Sequence, residues 1–204
     1  MPVSANEIVN QALSRIGAKS SVELFEPTPE DTVEAHQAAL WYHPSRRFVL
    51  EAFDWGFART RLELALDSND PPEGVWEYRY QYPADCLAMR YIENPAGLAA
   101  DAIPFALEQP PTPADALRTI LTNAENAVLV YTRDVTNPSF FTQAFIEALV
   151  NLLAARFAMP LTGNLKLADR FDTAFAKALI FASSLSANQE VDNAPREASW
   201  VRDR

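Results

Sequence analysis

The stretch FFTQAFIEALVNLLAARFAMPLT, residues 140–162, is the most apolar of the chain and decides how the rest is read. Phe141, Phe145, Ala148, Leu149 and Leu152 recur at helical spacing, and Gln143, Glu147 and Asn151 leave only a narrow polar stripe. Either lipid or protein must therefore surround this helix. Gln143, Glu147, Asn151 and Arg156 would each be costly at the centre of a bilayer, so the reading is a helix enclosed by protein. Asn137 and Pro138 open the segment, and Pro160-Leu-Thr-Gly-Asn164 breaks it. A second helix follows, with Ala168, Phe171, Phe175, Ala178, Leu179, Ala182 and Leu185 on one side and Lys166, Asp169, Arg170, Thr173 and Lys177 on the other. So short a connection predicts an antiparallel helical hairpin.

The enclosing protein has to come from elsewhere in the chain. Ser4 and Glu7 have the spacing of a capping box. Ile8, Val9, Ala12, Leu13 and Ile16 follow at helical spacing, with Gly17 placed to end the helix. Thr28-Pro29-Glu30-Asp31 reads as a second helix start: an N-cap, a proline at the first helical position and acids at the positive end of the dipole. Pro44 is expected to kink that helix or to split it from a third one over residues 46–53.

The middle third has a different texture. Residues 67–74 are rich in turn formers, and Trp76-Glu-Tyr-Arg-Tyr-Gln-Tyr82 alternates aromatic and polar residues with the period of a half-buried strand. Further strand signals lie at residues 89–92, 103–107, 117–122 and 127–132, with Asn123-Ala-Glu-Asn126 as a hairpin turn between the last two. The expectation is a small, mostly antiparallel sheet. The fold class is therefore α+β, divided into an N-terminal helical part (1–66), a β-rich insertion (67–136), a C-terminal helical hairpin (137–188) and an extended C-terminal arm (189–204) that loses apolar periodicity.

Composition narrows the function. With 27 Asp and Glu against 17 Lys and Arg, the net charge of -10 has the wrong sign for gripping nucleic acid through phosphates. The single cysteine, Cys86, rules out an internal disulfide and a cysteine-based zinc site and suits a reducing compartment; it reads as a small buried thiol. No basic segment followed by an apolar one opens the chain, so no secretory leader is expected.

The search for chemistry finds no constellation. His36 and His43, seven residues apart, would stand ~10 Å apart on a straight helix, too far for one zinc ion, and read as helix-surface or interface histidines. There is no nucleophile elbow, no glycine-rich phosphate loop among five glycines, and no metalloprotease pattern. Arg46-Arg47 and Arg59-x-Arg61 flank Phe48, Phe53, Trp55 and Phe57. Against so acidic a background these read as core aromatics with exposed arginines rather than a stacking platform for bases. Catalytic residues, metal ligands and cofactors are accordingly expected to be none, and the chain is expected not to be an enzyme. Two features stand out. The acids Glu23, Glu26, Glu30, Asp31 and Glu34 run without an intervening Lys or Arg and read as a solvated loop and helix start or as a surface turned toward DNA or a basic partner. Trp200 in the terminal arm, flanked by Arg196, Arg202 and Arg204, reads as a disordered tail or as an interface anchor.

Four blocks in order carry a resemblance: Glu7-Ile-Val-Asn-Gln-Ala-Leu-Ser-Arg-Ile-Gly17; Phe53-Asp-Trp-Gly-Phe-Ala-Arg-Thr-Arg-Leu-Glu-Leu-Ala65; Trp76-Glu-Tyr-Arg-Tyr-Gln-Tyr-Pro-Ala-Asp-Cys-Leu87; and residues 140–162. Together they resemble the head-to-tail adaptor proteins of tailed bacteriophages, the tail tubular protein A group, over nearly the whole chain to about residue 189. The resemblance implies an antiparallel helical bundle with a β-rich insertion. It also implies a homo-oligomeric ring, commonly of twelve copies, that joins the portal to the tail nozzle or tail tube in the neck of the virion after assembly in the host cytoplasm. Double-stranded DNA would pass through without specific binding, and no membrane is involved. In that setting Glu23, Glu26 and Glu30 are candidates to face the DNA channel, and Arg196, Trp200, Arg202 and Arg204 to bind the portal. Another tail-completion protein, or a virion-associated peptidoglycan hydrolase, is the alternative. The short arm and Pro44 depart from the group's pattern.

Overall fold

The structure, a computed structural model, describes residues 3–18, 21–72, 74–94, 103–109 and 118–189, with the side chains of the last helix described to residue 185. The chain is mixed α+β and divides into two compact units. One is built from residues 1–59 and 132–187, the other chiefly from residues 60–131.

The first unit is helical. α1 (Ala5–Arg15) begins at the capping box: the Ser4 hydroxyl accepts from the Glu7 amide, and the Glu7 carboxylate accepts from the Ser4 amide. Gly17 adopts a φ of 75°, the left-handed conformation that a helix end uses to turn away. α2 (Val33–Ala52) starts later than its sequence suggests. Thr32, not Thr28, is the N-cap and accepts from the Ala35 amide at 3.2 Å, while residues 28–31 belong to a loop. α2 also runs unbroken through Pro44. The proline and Leu40, whose carbonyl it deprives of a partner, both lie on the exposed side, where water can satisfy that carbonyl. No separate third helix forms.

The 3-10 turn at Pro138–Phe140 leads to Thr142, which caps α3 (Gln143–Thr162). α3 is the axis of this unit. Phe145, Leu149, Leu153 and Phe157 are fully buried, and α1 and α2 pack against it. It is long and apolar enough to cross a membrane by length and composition, yet two thirds of that apolar window is buried within the protein. Pro160 does not break it; the helix ends at Gly163, whose φ is 66°. α4 (Leu165–Gln189) follows directly. Trp55, Phe57 and Phe141 surround Phe145 with ring centroids 4.6–5.2 Å from it, and Trp55 donates to the Val49 carbonyl at 2.7 Å.

The second unit holds two three-stranded sheets rather than one. Its strands are β1 (Arg59–Glu63), β2 (Tyr78–Gln81), β3 (Cys86–Ile92), β4 (Phe105–Glu108), β5 (Thr119–Thr122) and β6 (Val128–Arg133), in the orders β1-β6-β3 and β2-β5-β4. β1 lies within the stretch expected to be helical, so the β-rich region starts before residue 67. β5 pairs antiparallel with β2 and with β4, not with β6. Residues 123–126 therefore carry the chain from one sheet to the other instead of closing a hairpin. Asn126 accommodates the turn with a φ of 54°, and Asn123 accepts from the Glu77 amide at 2.9 Å. Tyr80, 1% exposed, lies in the core of this unit and donates to the Ala124 carbonyl at 2.9 Å.

Candidate functional surface

Four acids of the run, Glu23, Glu26, Glu30 and Asp31, lie on a loop over residues 21–32 that is bound to α1 through its backbone and to α2 through side chains, and Glu34 lies in the first turn of α2. Asn10 brackets Val22, donating to its carbonyl at 2.9 Å and accepting from its amide at 2.7 Å, and Asn6 donates to the Glu23 carbonyl. Val22 and Phe25 are buried, and the Phe25 ring meets Tyr42 of α2 edge-on at 5.1 Å. Two asparagines one turn apart on α1 thus do the work of a strand edge, and one aromatic pair fixes the other side.

The three candidate acids then separate by role. Glu30 is half-buried; its carboxylate accepts from the Glu23 amide at 3.3 Å and the Thr32 hydroxyl at 3.4 Å, so it shapes the loop. Oε1 of Glu26 lies against Nε2 of His43, an ion pair when the imidazole is protonated, but not aligned as a hydrogen bond. Glu23 and the neighbouring Asp31 are exposed. The loop's outward charge is therefore carried by Glu23 and Asp31 more than by Glu26 or Glu30. Asp31 stood in the run but outside the first choice of acids.

The histidines have local partners: Nδ1 of His36 is 2.8 Å from the Thr32 carbonyl, and His43 faces Glu26. Among the described residues, no group of three or more His, Cys, Asp or Glu could hold a metal ion. Cys86 is buried, and that burial pushes its thiol pKa up, opposite to the shift a nucleophile needs.

Of the arginines expected to be exposed, Arg47 and Arg61 are, Arg59 is half-buried and Arg46 is buried, and all four face carboxylates of the chain. Arg46 is 2% exposed and pairs with Asp134, while Arg47, more open, approaches the same carboxylate at 3.7 Å. Arg59 reaches Asp54 at 2.8 Å and Arg61 reaches Glu93 at 3.3 Å. Trp55 and Phe145 are buried as core aromatics, but Phe48 is half exposed, its ring 6.1 Å from that of Phe175 on α4. Arg156 stands over the Trp41 ring at 4.9 Å and donates to the Ser45 hydroxyl at 2.8 Å. Stacking on a base would require these groups to leave their partners. Arg196, Trp200, Arg202 and Arg204 lie outside the described residues.

Sequence periodicity did not single out the outer edge of α4. On the side expected to be apolar Phe171 and Ala182 are buried, but Leu185 is 39% exposed, and beside it Ile180 and Phe181 are 66% and 62% exposed. Two adjacent large apolar residues on a solvent face are the signal that could have found it. No protein-family model matches this chain, and no curated protein matches it.

Proposed function

We propose that the chain is a structural virion protein, a ring-forming head-to-tail adaptor that joins the portal to the tail and lines part of the DNA channel. The observation that carries the reading is the layout of the chain. A helical unit assembled from both ends of the sequence, residues 1–59 and 132–187, brackets one continuous β-rich insertion. That is the layout implied by the resemblance of the four sequence blocks. In this reading α4 completes an antiparallel helical bundle with α1, α2 and α3, and residues 189–204 form the arm that docks on the portal.

The chemistry of the acidic loop supports the same role. A ring multiplies each exposed carboxylate by its copy number. A channel wall carrying Glu23 and Asp31 repels phosphates and lets DNA slide without stable contacts. Asn6, Asn10, Glu30 and Arg46 serve packing and loop shape, as suits a protein whose function is to hold neighbours. Electron microscopy of the purified chain with and without the portal protein of its own virion tests the reading. Rings that stack coaxially on the portal are expected, and a chain that never associates with it would refute the proposal.

A further inference from the structure

The helical unit carries two apolar surfaces that its own core does not use. On α4, Ile180 and Phe181 are 66% and 62% exposed, and Leu185, one turn beyond Phe181, is 39% exposed. On α2, Val33 and Leu40, two turns apart, are 63% and 58% exposed, and the exposed Pro44 continues the stripe. Large apolar side chains left exposed along one face of a helix are candidates for interaction sites.

The start of the α2 stripe and the α4 edge differ in charge, whereas at the far end of the stripe Pro44 lines a surface pocket with Arg47, Glu51 and Arg156. Around the start of α2, residues 20–45 contain five carboxylates and neither Lys nor Arg, with Glu23 and Asp31 exposed. Around the α4 patch, residues 173–189 contain no carboxylate, and Lys177 stands exposed one turn before Phe181. In a chain of net charge -10, an apolar edge whose own stretch of helix lacks carboxylates is where an acidic surface can approach with less repulsion. We infer that the α2 stripe (Val33, Leu40, Pro44) of one copy docks on the α4 edge (Ile180, Phe181, Leu185) of the next, with Lys177 facing the acids beside Val33. The two surfaces differ in sequence, charge and helix, so the contact is heterologous. A heterologous contact repeats head to tail and yields a closed ring or an open filament, never an isolated symmetric dimer. Only the expectation of a closed ring rests on the adaptor reading.

The test uses the full chain alone, with Leu40→Asp and Phe181→Asp as single variants measured by sedimentation velocity. Both positions are exposed, so each variant keeps the wild-type circular dichroism spectrum. The wild type is expected to form oligomers larger than a dimer, and each variant to lose them by about tenfold or more in association constant. Mixing the two variants is the decisive step, because each still carries the surface the other has lost. A 1:1 heterodimer that does not grow is expected. Leu40→Ser and Phe181→Ser, which add no charge, should weaken assembly in the same way but less. A monomeric wild type, variants that assemble normally, or a mixture that stays monomeric would overturn the seam. So would a wild type that assembles only when residues 190–204 are removed, since that segment would then be the occupant of the α4 edge. None of these measurements involves the portal. Rings on the portal despite a failed seam would leave the adaptor reading standing, and an intact seam without portal binding would do the reverse.

Discussion

The guanidinium of Arg46, on α2, is buried against the carboxylate of Asp134, 88 residues later, and also donates to the Val135 carbonyl. This contact ties the N-terminal helices to the point where the chain returns from its β-rich insertion. Its Nε has no partner, so the site is already short of one hydrogen bond. Asp134→Ala leaves the buried cation unpaired and should cost about 3–5 kcal/mol in urea unfolding, whereas Arg46→Met, which removes the charge and keeps the volume, should cost clearly less. Equal losses for the two variants would show that the pair contributes net stability and not only mutual compensation.

Tyr42 is the opposite case. Its ring is buried against Phe25, but its hydroxyl finds no partner. Tyr42→Phe is expected to raise stability by up to about 1 kcal/mol, because an unpaired buried hydroxyl costs more than it returns. Burial pushes the Tyr42 pKa up to about 12, with Arg46 pulling it down and Glu26 adding to the rise. A folded-state value above the unfolded one, about 10, means the folded chain holds this proton more tightly. That contribution is complete below pH 10 and is lost as pH rises toward 12. The difference between wild type and Tyr42→Phe in thermal unfolding should therefore widen between pH 10 and 12, and a constant difference would contradict it.

Arg15 joins α1 to α3 through Glu147 and Asn151, donating to Glu147 at 2.6 and 2.9 Å and to Asn151 at 2.6 Å. The hydrogen bonds from Arg15 hold the Glu147 carboxyl below its ordinary range against the opposing effect of burial. A lowered folded-state pKa gives stability that is present above the unfolded value, about 4.3, and is lost as pH falls through the folded one. Glu147→Gln should lose about 0.5–1 kcal/mol at pH 7, the pair being half exposed, and that deficit should vanish at low pH.

How far these features could be read in advance depends on how local their causes are. The capping box of Ser4 and Glu7 was legible because both partners lie within one turn. The choice of Thr32 over Thr28 as the cap of α2 was not. Both are competent caps, and the decision is made by Asn10 holding Val22 and Phe25 packing on Tyr42, contacts between segments. Pro44 carries a helix-breaking penalty in any local reading, and it is tolerated because it falls on the exposed side. The strands at β5 and β6 were visible as strands, but their assignment to two sheets depends on partners such as β2, some 40 residues away. Arg46 looked exposed because nothing near it in sequence announces Asp134. The acidic run was visible as charge, and only the fold separates Glu30, which shapes the loop, from Glu23 and Asp31, which face outward.

That separation sets the mutations for the channel proposal. Glu23→Lys with Asp31→Lys should slow or stall genome ejection from reconstituted virions while leaving the melting temperature of the purified chain unchanged. Glu30→Lys should instead lower stability by about 1–3 kcal/mol through the lost loop contacts. An unchanged ejection rate in the double variant would remove the acids from the channel wall.

Residues 190–204 lie outside every helix and strand described here, and their deletion separates portal binding from folding. The truncated chain should keep its unfolding midpoint and lose its affinity for the portal, as read by co-sedimentation. Undiminished binding would place the portal contact elsewhere.

Imaging the chain with its portal by cryo-electron microscopy tests the adaptor reading most directly. A ring of this chain, coaxial with the portal and open along its axis, is the predicted result. Free monomers beside an undecorated portal, at concentrations where both are folded, would contradict it.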